Sequence, residues 1–151
     1  RLVDLVTGVS RLGNQVCARA FQSSVGCVDA AQGALNWSKP AVGATGVDGD
    51  ATGLYGTDSD GKVLAWRRTD GERLWFSDRL RYRVLTAPVV VGQSLVMGDD
   101  AGTLYFLSRQ DGSLLNRIST DGSPIAAAPV LVGQTLVAVT QRGGIFGFRP
   151  E

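Results

Sequence analysis

The 151-residue chain has no histidine, one methionine and only two glutamates, Glu72 and Glu151. Without histidine there is no Ser-His-Asp triad, no Cys-His pair and no His-based zinc site. With so little glutamate, a carboxylate acid–base pair would have to be assembled from aspartates. An excess of one charge is also missing. Fifteen basic residues face fourteen acidic ones, a net of +1, so no overall field draws the chain to nucleic acid or a membrane surface. No apolar run approaches the ~20 residues of a membrane-spanning helix, and no segment of any length carries helical periodicity. The chain opens on Arg1 rather than Met, with no basic-then-apolar leader. It is therefore expected to be a piece of a longer protein, any signal or anchor having been removed.

What is abundant is glycine, 20 residues of it, in a chain that is 44% hydrophobic and 19% charged. That is the composition of a globular domain rich in turns, long enough to bury a core. The chain also repeats itself. "TAPVVVGQSLVMGDDAGTLYFL" begins at Thr86 and "AAPVLVGQTLVAVTQRGGIFGF" at Ala127, so that Pro88, Val89, Gly92, Gln93 and Leu95 recur 41 residues later as Pro129, Val130, Gly133, Gln134 and Leu136. A second signature, glycine followed four places on by tryptophan, occurs as Gly33–Trp37 and Gly71–Trp75; a third copy keeps Gly112 but has Asn116 for tryptophan. The period is about 40 residues and runs from near Val16 to the end.

Within a unit, alternation of period two between turn signals predicts short strands. The clearest unit predicts four, at Ala87–Val91, Ser94–Asp99, Thr103–Ser108 and Ser113–Ser119. Gly92-Gln93, Asp100-Ala101-Gly102 and Asp111-Gly112 supply turns that tolerate positive φ. Four antiparallel strands per unit is one propeller blade. A β-sandwich is the alternative, but it does not require a fixed period, whereas each blade must offer its neighbours the same contacts. The expectation is about half of an eight-bladed, all-β propeller, with blades at 2–38, 44–77, 86–119 and 126–149. The first blade's strands are expected at Val3–Val9, Gln15–Phe21, Val25–Ala30 and Ala34–Ser38, and the last blade is expected to lack its outer strand. Trp37 and Trp75, at equivalent positions, are read as blade-docking residues together with Gly33, Gly71 and Gly112 rather than as platforms for a cofactor. Two raw blade faces and an unpaired edge would make this chain associate with itself, two copies closing one ring.

The run "AWRRTDGERLW" (Ala65–Trp75) resembles the tryptophan-docking motif of quinoprotein-type propellers, and "CVDAAQGALNW" (Cys27–Trp37) matches it at Asp29, Gly33 and Trp37. Cys27 stands where that motif has Ala, Arg67 where it has Asp, and Asn116 where it has Trp. The order of the units is more specific. "DGERLWFSDRLRYRVLTAPVVVGQSLVMGDDAGTLYFLSRQDG", the final "GGIFGFRPE" and the opening "RLVD" (Arg1–Asp4) resemble the C-terminal half of the propeller lipoprotein family of the outer-membrane β-barrel assembly machinery. The likeness covers essentially the whole chain and departs at Val6, where a second Asp is expected.

That resemblance implies a non-catalytic scaffold at the periplasmic face of the outer membrane, lipid-anchored in the complete protein. It also implies binding to the periplasmic domains of the machinery's central barrel protein, BamA, to other subunits and to unfolded outer-membrane proteins. Arg1 and Asp4 would lie near the BamA surface. A quinoprotein-like dehydrogenase fragment is the alternative function; it should take up quinone and calcium, whereas a scaffold should bind neither. No cofactor, metal or nucleic acid is expected. Asp58-Ser59-Asp60-Gly61 could begin a calcium loop, yet no later Glu completes the shell and a hairpin turn fits the same residues. Arg67, Arg68, Arg73, Arg79, Arg81 and Arg83, near Trp75 and Tyr82, are read as a solvated strand and loop or a protein-contact patch, with Asp70, Glu72 and Asp78 interleaved. If a hairpin turns near Gln22, Cys17 and Cys27 stand opposite each other. A disulfide, permitted in an oxidising periplasm, and two buried thiols both remain open there.

Overall fold

The computed structural model describes residues 8–150. Arg1, Asp4 and Val6 lie outside the described residues, as does Glu151. The described chain is all-β, with fifteen strands in four antiparallel sheets. Sheet 1 holds β1 (Ser10–Leu12), β2 (Gln15–Ala20), β3 (Ser24–Asp29) and β4 (Ala34–Pro40). Sheet 2 holds β5 (Asp48–Gly49), β6 (Gly53–Thr57), β7 (Val63–Arg67) and β8 (Arg73–Ser77). Sheet 3 holds β9 (Val89–Val91), β10 (Ser94–Gly98), β11 (Thr103–Ser108) and β12 (Leu114–Ser119). Sheet 4 holds β13 (Val130–Val132), β14 (Thr135–Val139) and β15 (Ile145–Phe148). Within each sheet every strand pairs with its neighbours in sequence, and these are the blades of a β-propeller.

The core is divided among the junctions between sheets. Cys17, Val25, Trp37, Leu54 and Trp66 pack sheet 1 on sheet 2. Tyr55, Val63, Leu95, Met97 and Leu107 pack sheet 2 on sheet 3. Val96, Leu104, Phe106, Leu136 and Ala138 pack sheet 3 on sheet 4. Covered on both faces, β6 is buried at every residue, while β13 is exposed at every residue. Continuous burial of that kind follows from a sheet lying between two others.

The strand expected at Val3–Val9 lies mostly outside the described residues, which begin at Gly8; the first described strand is Ser10–Leu12. Gly13, at φ +57, turns the chain so that Leu12 faces Gln15 and Ser10 faces Cys17. In sheets 1, 2 and 3 the third and fourth strands share one irregularity, a bulge opposite Cys27/Val28, Ala65/Trp66 and Phe106/Leu107. The residue that follows each bulge on the fourth strand is Trp37, Trp75 or Asn116. A bulge re-aims a side chain, and here it turns two indoles toward the next sheet.

Candidate functional site

Two indoles join successive blades. Trp37 Nε1 donates to the Arg68 carbonyl at 2.8 Å, and Trp75 Nε1 donates to the Arg109 carbonyl at 2.9 Å. Each ring lies against the turn glycine of the following sheet, Trp37 on Gly71 and Trp75 on Gly112. Around Gly33 there is open space.

Two buried arginines, whose roles the sequence did not reveal, complete the first junction. The Arg68 guanidinium donates to Ser10 Oγ, to the Ser10 carbonyl and to Gln15 Oε1. Arg19 donates to the carbonyls of Ala41, Thr45 and Thr57. Burial lowers the pKa of both guanidiniums, but their ordinary value is so high that they stay charged. Only their neighbours distinguish them from surface arginines, so no sequence signal could have found them.

The remaining basic run disperses. Arg67 pairs with Asp70 and Glu72 at 3.1 and 2.7 Å. Arg73 lies over the Phe76 ring, and Arg81 over the Tyr82 ring. Arg83 donates to Tyr105 Oη, which donates to Asp99. No basic stripe results. Asp58 Oδ1 accepts the backbone N–H groups of Asp60 and Lys62, closing its own hairpin. Among the described residues no group of three or more His, Cys, Asp or Glu is placed to hold a metal ion. Cys17 faces Cys27 across β2 and β3, with Cα atoms 4.0 Å apart and the sulfurs bonded.

One end of the propeller forms a continuous surface. There the hairpins between second and third strands meet the connectors between sheets, stitched by backbone hydrogen bonds. Gly43 N donates to the Gln22 carbonyl, Ser59 N to Val42, Tyr82 N to Asp60 and Gln141 N to Pro124. The described non-glycine residues with positive φ are Phe21, Gln22 and Tyr82, and all three lie on this surface. Such conformations cost free energy and concentrate where chain geometry serves function. Two of them are also exposed aromatics, Phe21 at 70% and Tyr82 at 80%, accompanied by exposed Val42 and Val84. Between the hairpins and connectors lie an open cavity of about 330 Å³, lined by Gln22, Val42, Asp58, Arg83 and Val84, and a larger one of about 660 Å³ lined by Leu85, Asp99 and Ile125. Apolar and aromatic groups presented on a rigid rim suit contact with another protein. Sequence reasoning flagged Tyr82 and Arg83 but missed Phe21 and Val42, because exposure of an apolar residue is set by the tertiary arrangement.

Comparison with known proteins places this geometry in a family. The family model described as outer membrane protein assembly factor BamB matches residues 1–77. The outer membrane protein assembly factor BamB of Burkholderia pseudomallei is 43% identical over 151 residues, all of this chain and 40% of that protein. Its counterpart in Bordetella pertussis is 34% identical over 146 residues, 96% of this chain and 38% of that protein. The crystal structure of BamB from Moraxella catarrhalis superposes with a TM-score of 0.87 at 24% identity, covering 95% of this chain and 42% of that one, a likeness of fold. The chain thus spans about 40% of the length of these relatives.

Proposed function

The chain belongs to the BamB family of outer membrane protein assembly factors, and from that premise we propose that it is part of a non-catalytic scaffold whose connector face binds the periplasmic domains of BamA. The complete protein would sit at the periplasmic face of the outer membrane, held there by a lipid anchor, and help to deliver unfolded outer-membrane proteins. The observation that carries the reading is the connector face itself, where Phe21 and Tyr82 stand exposed in positive-φ conformations beside Val42 and Val84. A preorganised rim of this kind loses little conformational freedom on binding. The leading run Arg1–Asp4 precedes sheet 1 in sequence, and its likeness to the family's entry run supports a contact with the same partner.

The test is the affinity of the complete protein for purified periplasmic domains of BamA. Tyr82→Ala and Asp4→Arg should each weaken binding about tenfold, the loss of a contact worth ~1.4 kcal/mol, with the melting temperature unchanged. Wild-type affinity in both variants would exclude this face as the BamA surface.

A further inference from the structure

Beneath the connector face lies a cation without a counter-ion. Arg19, on β2, is 3% exposed, and its guanidinium is held by main-chain carbonyls alone, those of Ala41, Thr45 and Thr57. Among the described residues it forms no ion pair. Thr45 and Thr57 both line the cavity of about 330 Å³ on that face. A third wall residue, Gly43, stands directly in front of the guanidinium, where a Cβ would meet Arg19 Cζ and Nη1 at 2.9 Å. Arg83 brings a second cation, on the cavity wall itself. Its Nε donates to Tyr105 Oη at 2.9 Å and its Cζ lies 5.5 Å from the centre of that ring, which orients the guanidinium without neutralising it. Among the described lining residues the one carboxylate is Asp58, and it is already engaged. Its Oδ1 accepts the N–H groups of Asp60 and Lys62, each at 2.9 Å. Every wall comes from residues 22–85, so neither end of the chain bounds the cavity.

We infer that this cavity is a socket for an acidic side chain, aspartate or glutamate, carried between apolar residues on a loop of BamA's periplasmic domains. Two guanidiniums stand against one carboxylate, so the socket keeps a net positive charge. A buried charge is costly unless it is paired, and here the unpaired one adjoins a space that an anion can enter. Arg83 would bind the incoming carboxylate directly, through a charge-assisted hydrogen bond. Arg19 would act through its field from behind Gly43, where poor solvent screening strengthens the attraction. A basic side chain would meet the same two cations and be rejected. The apolar neighbours of the acid are called for by Val42 and Val84, which line the cavity and are 62% and 69% exposed. A volume near the lower limit of about 300 Å³ for ligand pockets suits one side chain better than a larger molecule. The inference rests on the scaffold reading in taking the loop from BamA; the charge of the socket does not depend on it.

The probe is a blocked pentapeptide, Ser-Leu-Glu-Leu-Ser, titrated into the complete protein while its backbone amides are followed by NMR. Two controls carry glutamine or lysine in place of the glutamate. The glutamate peptide should bind at least about tenfold more tightly than the glutamine peptide, and the lysine peptide should bind least. The largest shifts should fall at Gly43, Ser59 and Val84. Arg83→Met removes the wall cation and should bring the glutamate and glutamine peptides within about twofold of each other. Asp58→Asn keeps an acceptor for the hairpin N–H groups but removes the competing charge, and should tighten glutamate binding about threefold or more. Equal affinity of the wild-type protein for glutamate and glutamine peptides would overturn the inference, as would no binding or shifts confined to another face. An unaltered glutamate preference in an Arg83→Met variant of normal melting temperature would do the same. If that variant unfolds, Asp58→Asn decides, and an affinity no higher than wild type overturns the site. BamA domains titrated in parallel separate the two readings. A glutamate preference without BamA binding defeats the scaffold proposal alone, and BamA binding without a glutamate preference defeats this one alone.

Discussion

The six-membered ring of the Trp37 indole lies where a Cβ on Gly71 would stand, 2.4 Å from such an atom, so one blade's docking residue is seated on the next blade's turn. Gly71 is also at φ +76, and Gly33, its repeat counterpart, is at φ +69 with open space around it. The pair separates two effects of a methyl group. Gly33→Ala should cost only the strain of a left-handed residue, about 1–2 kcal/mol. Gly71→Ala should cost about 2–5 kcal/mol, because displacement of the indole adds about 1–3 kcal/mol. Denaturant unfolding of both variants measures the difference; equal losses would mean that the ring shifts freely.

Cys17 and Cys27 close a loop across a sequence separation of 10. The protein purified without reductant should be lighter than its sequence mass by two hydrogen atoms. Reduction, or the Cys17→Ser/Cys27→Ser double change, should remove up to about 3 kcal/mol of stability. An intact mass with both thiols present would rule the bond out.

Asp121 supplies an acid-sensitive contact at the junction of sheets 3 and 4. Its carboxylate accepts from Ser123 Oγ and Thr140 Oγ1, each at 2.6 Å, and from Ser123 N at 2.9 Å. These bonds, those from the Ser123 and Thr140 hydroxyls foremost, hold its pKa at about 2, below the ordinary 3.8. A depressed carboxylate stabilises the fold above its unfolded pKa, and that contribution disappears as pH falls through the folded one. Asp121→Asn should therefore melt below wild type at pH 7, and the gap should narrow between about pH 4 and pH 2. A gap independent of pH would show that the charge plays no part.

The isolated chain should self-associate. Val130, Val132 and Ile145 are exposed on sheet 4, and Leu12 and Leu35 on sheet 1. Among the described residues no strand pairs with the outer edge of β15. Exposed apolar strands and open edges attract further chains, and end-to-end pairing of two copies would cover both faces. Light scattering of the 151-residue chain should report a dimer or larger species; a monodisperse monomer at micromolar concentration would contradict this.

Periodicity carried much of the fold into the sequence. A spacing of about 40 residues and alternation between Gly and Asp turns are local properties, so the meander of short strands was legible from them. The strand Ser10–Leu12 was not, because three residues before Gly13 carry too short a pattern to stand out. Arg68 looked like one member of a basic run, yet its partners Ser10 and Gln15 lie 58 and 53 residues away.

The sequence by itself determined the all-β class, the repeat, the tryptophan positions and the lack of histidine chemistry, since each depends on residue type and spacing alone. Only the tertiary structure decided what those residues meet. It set Trp37 on Gly71, buried Arg19 and Arg68, gathered Phe21, Val42 and Tyr82 on one rim, and left a cavity beside Arg83. The physical reason is that burial and exposure are properties of pairs of blades. A strand's own pattern specifies which side chains share a face, but the neighbouring sheet determines whether that face is covered.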